Sequence, residues 1–263
     1  MNTKRTSRFD LVCGFFLFAL FLALATPLYP QETNDSVGID LYKKGDFANA
    51  VTKLQASSDF KDLYYLGLSY ERLGKVKDAK KAFERSFKSG YQHIEKGLLV
   101  QPKVVKAGDS PVTLVKQLSV ELLNYVPAIQ TSLASAERAF TLKSDVSMDN
   151  EWILKGQFLY AINNLLKRGE LAYSMDELDV NIKITAKPFP RYPEARNGQG
   201  TVILWVMFSA DGKVTAATPV RSPGSNFSVE AVKASKRIVF TPAIKNGKPV
   251  TTLRQVEYTF SIE

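Results

Sequence analysis

The sequence predicts an α+β protein in two parts. Residues 36–176 are expected to be all-helical, and residues 177–263 to form a small domain in which one helix packs on an antiparallel three-stranded sheet. Apolar residues recur at helical spacing in the first part, and they alternate at strand spacing between turn residues in the second. A third observation sets residues 1–25 apart, because a basic start is followed there by an unbroken apolar run.

Residues 1–25 have the pattern of an export signal. Three basic residues precede the apolar run Leu11 to Ala25, which ends in the small residues that signal peptidase requires. This run is 15 residues long, short of the ~20 that span a bilayer, but it reaches 19 when continued to Tyr29. Cleavage as a signal peptide and retention as a transmembrane anchor therefore both stay open. In either case the protein works outside the cytoplasm.

Charge and chemistry predict a binding protein. The net charge of +9 favours nucleic acid, anionic membrane or acidic partners, and export argues against nucleic acid. Cys13, the single cysteine, lies in the apolar run, so the exported part cannot form a disulfide framework. His93 is the single histidine and has no nucleophile motif beside it. Because no phosphate loop or metal-ligand motif occurs either, we predict neither enzyme activity nor a cofactor.

Residues 38–86 contain an internal repeat, since residues 38–57 match residues 67–86 at an offset of 29. The matched pairs are Gly38 with Gly67, Gly45 with Gly74, Phe47 with Val76, Ala50 with Ala79 and Leu54 with Phe83. The pattern resembles the tetratricopeptide repeat, a helix–turn–helix unit of about 34 residues. The resemblance implies either a groove that binds a partner or a helical spacer. A degenerate third copy is predicted over residues 137–164.

The rest of the helical part is predicted from its breakers. Periodicity is lost over residues 91–109, which we expect to be a connection. Ser110-Pro111 has the pattern of a helix start, and Pro127 is expected to end or kink that helix. Further helices are predicted over residues 128–142 and from Asn150 onward.

The predicted sheet begins with a strand-like segment at residues 177–187. A strand over residues 201–208 is apolar on both faces and is therefore expected at the centre, covered twice. A helix predicted at residues 227–237 supplies one cover. The other is either the upstream helices or a second copy of the domain, which would make a homodimer. An Asp211-Gly212 turn leads to a second strand, which Pro219 marks as an edge.

The last strand is the longest, and its side chains alternate. Residues 256, 258, 260 and 262 are apolar and are expected to face inward, while polar residues 255, 257, 259 and 261 face outward. Such a strand at a free sheet edge can recruit an extended peptide through backbone hydrogen bonds. Alternatively, the charges on this edge only guard it against aggregation.

The C-terminal residues resemble the C-terminal domain of the TonB energy-transducer family. The matching elements are, in order, Tyr192-Pro193-x-Ala195-Arg196, Gly200-x-Val202, Phe208, Asp211-Gly212-x-Val214, Arg221-Ser222-x-Gly224, Ala231, Phe240-x-Pro242-Ala243 and Asn246-Gly247-x-Pro249-Val250. The resemblance covers residues 188–263, under a third of the chain. It departs from the family pattern at Pro223, Ser228 and Ile238, where packing is affected more than the fold.

The resemblance implies a periplasmic domain that binds the TonB-box peptides of outer-membrane TonB-dependent transporters. In the family the peptide adds as a strand beside the last strand of the domain. The residues expected to bind peptide are Tyr192, Pro193, Leu253, Arg254, Gln255, Val256, Glu257 and Tyr258.

Two functions stay open because the N-terminus departs from the family. Members that couple to inner-membrane motor proteins use an anchor helix with a Ser/His pair, followed by a Pro-rich linker. The run Leu11 to Ala25 contains neither serine nor histidine, and helical repeats replace the linker. One function is a TonB-like protein, partnered by transporters and motor proteins, that supports energy-coupled transport. The other is a soluble periplasmic scaffold or adaptor without energy transduction.

Overall fold

The computed structural model describes residues 35–99, 104–107, 110–113, 117–142, 150–193 and 198–261. The helices are α1 (Val37–Lys43), α2 (Phe47–Leu54), α3 (Phe60–Arg72), α4 (Val76–Leu98), α5 (Leu118–Asn124), α6 (Val126–Thr141), α7 (Asn150–Lys167) and α8 (Ser225–Ser235). The strands are β1 (Val104–Ala107), β2 (Ser110–Thr113), β3 (Ala172–Tyr173), β4 (Lys183–Ala186), β5 (Gly200–Phe208), β6 (Val214–Arg221), β7 (Val239–Thr241), β8 (Ala243–Lys245) and β9 (Lys248–Phe260). The predicted signal or anchor, residues 1–25, lies outside the described residues.

Two helical hairpins, α1–α2 and α3–α4, turn at equivalent glycines. Gly45 has φ 84° and Gly74 has φ 70°, a left-handed conformation that glycine adopts at little cost. In both hairpins the residue after the glycine bonds back to the preceding helix, as in a Schellman motif. The N–H of Asp46 donates to Leu41 O at 3.0 Å, and that of Lys75 to Tyr70 O at 2.9 Å.

The internal repeat is also visible in the packing. A Cβ added to Gly38 would lie 2.4 Å from Leu54 Cγ, and one added to Gly67 would lie 2.5 Å from Phe83 Cε1. These are matched positions of the two predicted copies, so both hairpins close through a glycine against a large apolar side chain. Next in the stack, α6 packs against α3 and α4, and α7 packs against α6. The tetratricopeptide assignment itself, including the third copy, stays a prediction.

Two helix boundaries predicted from the sequence are wrong. Helix α4 continues through residue 91 to Leu98, because Tyr91, Ile94 and Leu98 are buried on one helical face. Ser110–Thr113 is strand β2, antiparallel to β1, rather than a helix start, and α5 begins only at Leu118. Pro127 does separate two helices, since it occupies the first turn of α6.

The main sheet has five strands. Its order is β3-β9-β5-β6, with β8 also paired to β9. The three predicted antiparallel strands are β9, β5 and β6, and β5 lies between the other two because it pairs with both. The sequence-based description missed β3 and β8, whose two and three residues are too short to show a period. Strand β6, which contains Pro219, lies at the edge of the sheet as predicted.

Both faces of β5 are covered, and the second cover is the upstream helices. Helix α8 lies on one face, where Val202, Leu204 and Val206 join its apolar residues in one core. On the other face, Met207 and Leu253 share a core with α4, α5, α6 and α7. The predicted homodimer is not needed to cover this face, and it stays a prediction.

Polar contacts fasten the helical part to the sheet. The Tyr91 hydroxyl lies 2.8 Å from Thr218 Oγ1 in the buried interface. Ser119 Oγ at the start of α5 donates to Glu177 Oε1 at 2.5 Å. Within the sheet, Thr252 Oγ1 of β9 donates to Tyr173 O of β3 at 2.7 Å. The helical part and the sheet share one core, so packing does not mark where one ends and the other begins. The boundary predicted between residues 176 and 177 stays a prediction. Of the helices in the described residues, none has the length and apolar composition needed to cross a bilayer.

Candidate functional site

The outer edge of β9 is one of two eight-residue strand edges of the main sheet that no described strand pairs with, the other being the outer edge of β6. On its inner side, β9 pairs with β5 from Thr252 to Phe260. On its outer side, β3 pairs with Thr251 and Thr252, and at the start of β9 the strand β8 pairs with Lys248 to Val250. No strand in the described part of the chain pairs with the outer side of residues 253–260. We name this segment the β9 edge.

Backbone groups at alternate residues of the β9 edge face outward. Lys187 Nζ donates to Glu257 O at 3.2 Å, so this carbonyl lies on the side opposite to β5. Because successive residues of a strand direct their backbone groups to opposite sides, Thr259 shares the direction of Glu257. Val256 and Tyr258 direct theirs toward β5 and belong to the internal ladder. The outward N–H of Glu257 is thus a donor that an added strand can use.

The predicted alternation of β9 side chains is confirmed for the described residues. Val256, Tyr258 and Phe260 are buried in the core with α8, whereas Glu257 and Thr259 are exposed. Ile262 lies outside the described residues. Arg254 has the parity of Val256, so it lies on the α8 face of the strand, half-buried and opposite to Glu257.

The structure separates the predicted peptide-binding residues into three groups. Glu257 combines an exposed side chain with outward backbone groups. Leu253, Val256 and Tyr258 are core residues, and Arg254 and Gln255 are half-buried. Tyr192 and Pro193 lie apart, next to α8 and the end of β9. The peptide-binding role of all eight residues stays a prediction.

Tyr192 connects the end of β9 to α8. Its ring makes edge-on contacts with Phe227 of α8 and with Phe260, at centroid distances of 5.8 and 5.9 Å. Its hydroxyl donates to Gly198 O. The Tyr192-Pro193 pair thereby fixes the segment that runs past the end of the sheet.

A cleft of about 570 Å³ separates this segment from α8. It is lined by Arg191, Tyr192, Pro193, Glu230, Lys233 and Arg237. Lys233 Nζ lies 2.7 Å from Glu230 Oε1, so these two charges pair with each other. Arg237 Nη2 donates to Phe189 O at 3.4 Å, which ties the end of α8 to the same segment.

Tyr258 has an unusual environment for a buried tyrosine. Its hydroxyl oxygen is buried and has no hydrogen-bond partner among the described residues. Burial raises the pKa of Tyr258 to about 12, against the opposing effect of the Arg237 charge. Lys187 Nζ lies 5.3 Å from the centroid of the Tyr258 ring, within the range of a cation–π contact.

Sequence reasoning missed Lys187, Phe189 and Arg237. Lys187 reaches the β9 edge across 70 residues of sequence, and the charge of Arg237, two residues beyond α8, lowers the pKa of Tyr258. Neither position has a local signal, because each contact depends on the tertiary fold. Phe189 is 88% exposed. Its signal was available, since an aromatic residue between two prolines cannot be buried in a regular strand or helix.

The C-terminal part of the chain is similar to a known protein family. Residues 185–262 match the family model TonB_C, described as the Gram-negative bacterial TonB protein C-terminal. These residues form a TonB C-terminal domain. We call residues 185–262 the TonB domain; it includes the last two residues of β4, the strands β5 to β9, and α8.

A solved structure also matches the TonB domain. The solution NMR structure of the Pseudomonas aeruginosa TonB C-terminal domain is 28% identical in sequence, with a TM-score of 0.28. The match covers 34% of this chain and 93% of that one. A search of curated proteins found no significant relative.

Proposed function

We propose that the TonB domain binds the TonB-box peptides of outer-membrane transporters in the periplasm and so supports energy-coupled transport. The peptide adds as an extended strand along the β9 edge. The observation that carries the proposal is the open outer side of residues 253–260, at the end of a 13-residue strand.

The β9 edge suits strand addition better than the opposite edge of the sheet. Strand β6 has eight residues, the same length as the β9 edge, but Pro219 removes one backbone donor from it. The β9 edge has no proline, and at about 3.3 Å per residue it offers roughly 26 Å of backbone. A peptide of five or six residues therefore has room to pair in full.

The expected affinity is modest. Each backbone hydrogen bond contributes about 1 kcal/mol net, and ordering an extended peptide offsets part of the sum. Lys187 adds a further cost, because its bond to Glu257 O must be exchanged for one from the peptide. Weak, reversible binding suits a contact that forms and breaks with each transport event.

Glu257→Pro tests strand addition. Proline removes the outward N–H of residue 257 and places its ring where the peptide backbone would lie, while the bonds of Val256 and Tyr258 to β5 remain. We expect affinity for a fluorescein-labelled TonB-box peptide to fall about tenfold or more, measured by fluorescence anisotropy. The melting temperature should change little, because edge strands tolerate proline.

Glu257→Ala is the matched control, since it removes the side chain and keeps the N–H. It should bind the peptide within about twofold of wild type. Equal losses in the two variants would assign the effect to the carboxylate rather than to the edge. Unchanged binding by Glu257→Pro would show that the peptide does not add to β9.

A second candidate is a periplasmic scaffold that binds envelope proteins without transmitting force. It is favoured by the shared core of the helical part and the sheet, which leaves no flexible linker between α7 and the TonB domain. The mass of the mature N-terminus in fractionated envelopes distinguishes the two candidates. Retention of Met1 in the membrane fraction supports a transducer, and a soluble chain beginning after Ala25 supports the scaffold.

A further inference from the structure

A second cleft lies in the helical part, where α4 passes the loop between α2 and α3. It encloses about 450 Å³ and shares no residue with the β9 edge or with the cleft beside α8. Its lining residues are Ser58, Leu63, Arg85, Lys88, Ser89, Gln92, His93 and Lys96. We name it the α4 cleft.

The α4 cleft is lined by cations without carboxylates. Arg85, Lys88 and Lys96 are exposed, and none of them forms an ion pair with another described residue. Two acidic residues at the start of α3 accept hydrogen bonds from neutral groups. Asp59 accepts the backbone N–H groups that begin α3, and Asp62 accepts the Ser36 and Ser57 hydroxyls at 2.5 and 2.8 Å. The lining of the cleft itself therefore carries only positive formal charge.

The cations lie in a row along α4, which is hydrogen-bonded to the preceding loop. Arg85, Lys88, Gln92 and Lys96 follow helical spacing along one face of α4, over about 16 Å. Arg85 Nη2 donates to Ser57 O at 3.0 Å. Ser89 Oγ likewise donates to the carbonyl of the next loop residue at 2.6 Å. The loop and the helix are thus bonded together beneath the row.

An aromatic wall bounds the same cleft. The His93 ring lies 5.6 Å from the Phe60 ring and 5.2 Å from the Tyr125 ring, measured between centroids. Contacts on both sides hold the ring in place. These ring contacts fix the position of His93 in the lining.

We propose that the α4 cleft binds an acidic polypeptide segment of a partner protein in extended conformation. About five extended residues span 16 Å, so carboxylates at the two ends of such a segment would lie near Arg85 and Lys88 at one end of the row and near Lys96 at the other. Charge complementarity of this kind provides specificity and fast association. An anionic membrane is a poorer match, because surface-bound helices bury a broad apolar face, whereas Leu63, the one apolar residue in the lining, is only 2% exposed.

The test uses the full chain and a fluorescein-labelled oligoglutamate peptide at low ionic strength. In the charge-reversal variant Lys88→Glu/Lys96→Glu, we expect the affinity to fall about tenfold or more. The matched control is Lys44→Glu/Lys53→Glu, which makes the same change of net charge at exposed lysines of the first hairpin. The control should lose less than about threefold. Oligoglutamine should not bind, and TonB-box peptide binding should be unchanged in both variants.

Three results would overturn the proposal. Equal losses in the two variants would mean that the peptide senses net charge alone. Undetectable oligoglutamate binding by the wild type would mean that the cleft does not recognise acidic chains. The third is stronger binding to phosphatidylglycerol vesicles than to the peptide, with the same dependence on Lys88 and Lys96, which would assign the cleft to a lipid surface.

Discussion

Two tyrosines are buried to nearly the same extent but differ in their hydrogen bonding. Tyr91 is 2% exposed and Tyr258 is 3% exposed. The Tyr91 hydroxyl pairs with Thr218 Oγ1, whereas the Tyr258 hydroxyl has no partner among the described residues. A buried polar group without a partner costs stability, while removal of one member of a buried pair leaves the other unsatisfied. The same substitution should therefore have opposite effects at the two sites.

We expect Tyr91→Phe to lower the free energy of unfolding by about 1–3 kcal/mol, because Thr218 loses its partner. Tyr258→Phe should leave it unchanged or raise it by up to about 1 kcal/mol. Urea denaturation of the two variants beside wild type measures both changes. A large loss in Tyr258→Phe would show that its hydroxyl has a stabilising partner.

Alkaline pH provides a second readout for Tyr258. Burial raises its pKa to about 12, whereas tyrosine in an unfolded chain titrates near 10. Because the folded protein holds this proton more tightly, the contribution to stability is complete below pH 10 and is lost as pH rises toward 12. The stability of Tyr258→Phe should therefore fall less steeply than that of wild type across this interval. Parallel curves would contradict the assignment.

At the scale of the element, no described strand pairs with the β9 edge, but the Lys187 side chain contacts it. Lysine is a common guard on exposed strand edges, where it discourages pairing between chains. Lys187 fits this description, since it donates to Glu257 O and lies over the Tyr258 ring. Peptide binding and this guard therefore compete for the same carbonyl.

We expect Lys187→Met to bind TonB-box peptide severalfold more tightly. In the wild type the peptide must displace Lys187 from contacts worth about 1 kcal/mol, and the variant does not have this cost. The exposed Lys183 on β4 provides the control, and Lys183→Met should bind as wild type does. Fluorescence anisotropy measures both. If Lys187→Met bound more weakly, Lys187 would be a peptide contact rather than a guard.

At the scale of the whole molecule, the helical part completes the core of the sheet. Met207 and Leu253 of the TonB domain are 1% and 2% exposed because α4 to α7 cover their face of the sheet. The helices therefore contribute to the packed core of the TonB domain as well as connecting to it. A perturbation of this shared core should destabilise both parts together.

Met207→Ala should lower the free energy of unfolding by about 2–5 kcal/mol, the cost of a cavity in a packed core. Met175→Ala is the matched control, because Met175 is 44% exposed, and it should cost less than about 1 kcal/mol. Helical circular dichroism and tryptophan fluorescence should follow one shared transition in each protein. Separate transitions would show that the helical part and the sheet fold independently.

The sequence by itself determined what short-range pattern can encode. An apolar run located β5, the Asp211-Gly212 turn located β6, and period-two alternation located β9. The glycine offset from Gly38 to Gly67 located two hairpins that the structure closes in the same way. Ordered motifs from Tyr192 to Val250 indicated the TonB domain. These features depend on local backbone preference and on which face of an element is apolar, and both can be read over a few residues.

Only the tertiary structure decided how distant elements meet. The apolar outer face of β5 fitted either the upstream helices or a second domain, and packing of α4 to α7 on Met207 settled the choice. The ends of α4 and α5 were mispredicted because burial of Tyr91, Ile94 and Leu98 depends on neighbours far along the chain. Lys187 reaches Glu257, and Arg85 is bonded to Ser57, across segments with no shared local pattern. Contacts at long sequence separation are set by the packing of whole elements, which no local period encodes.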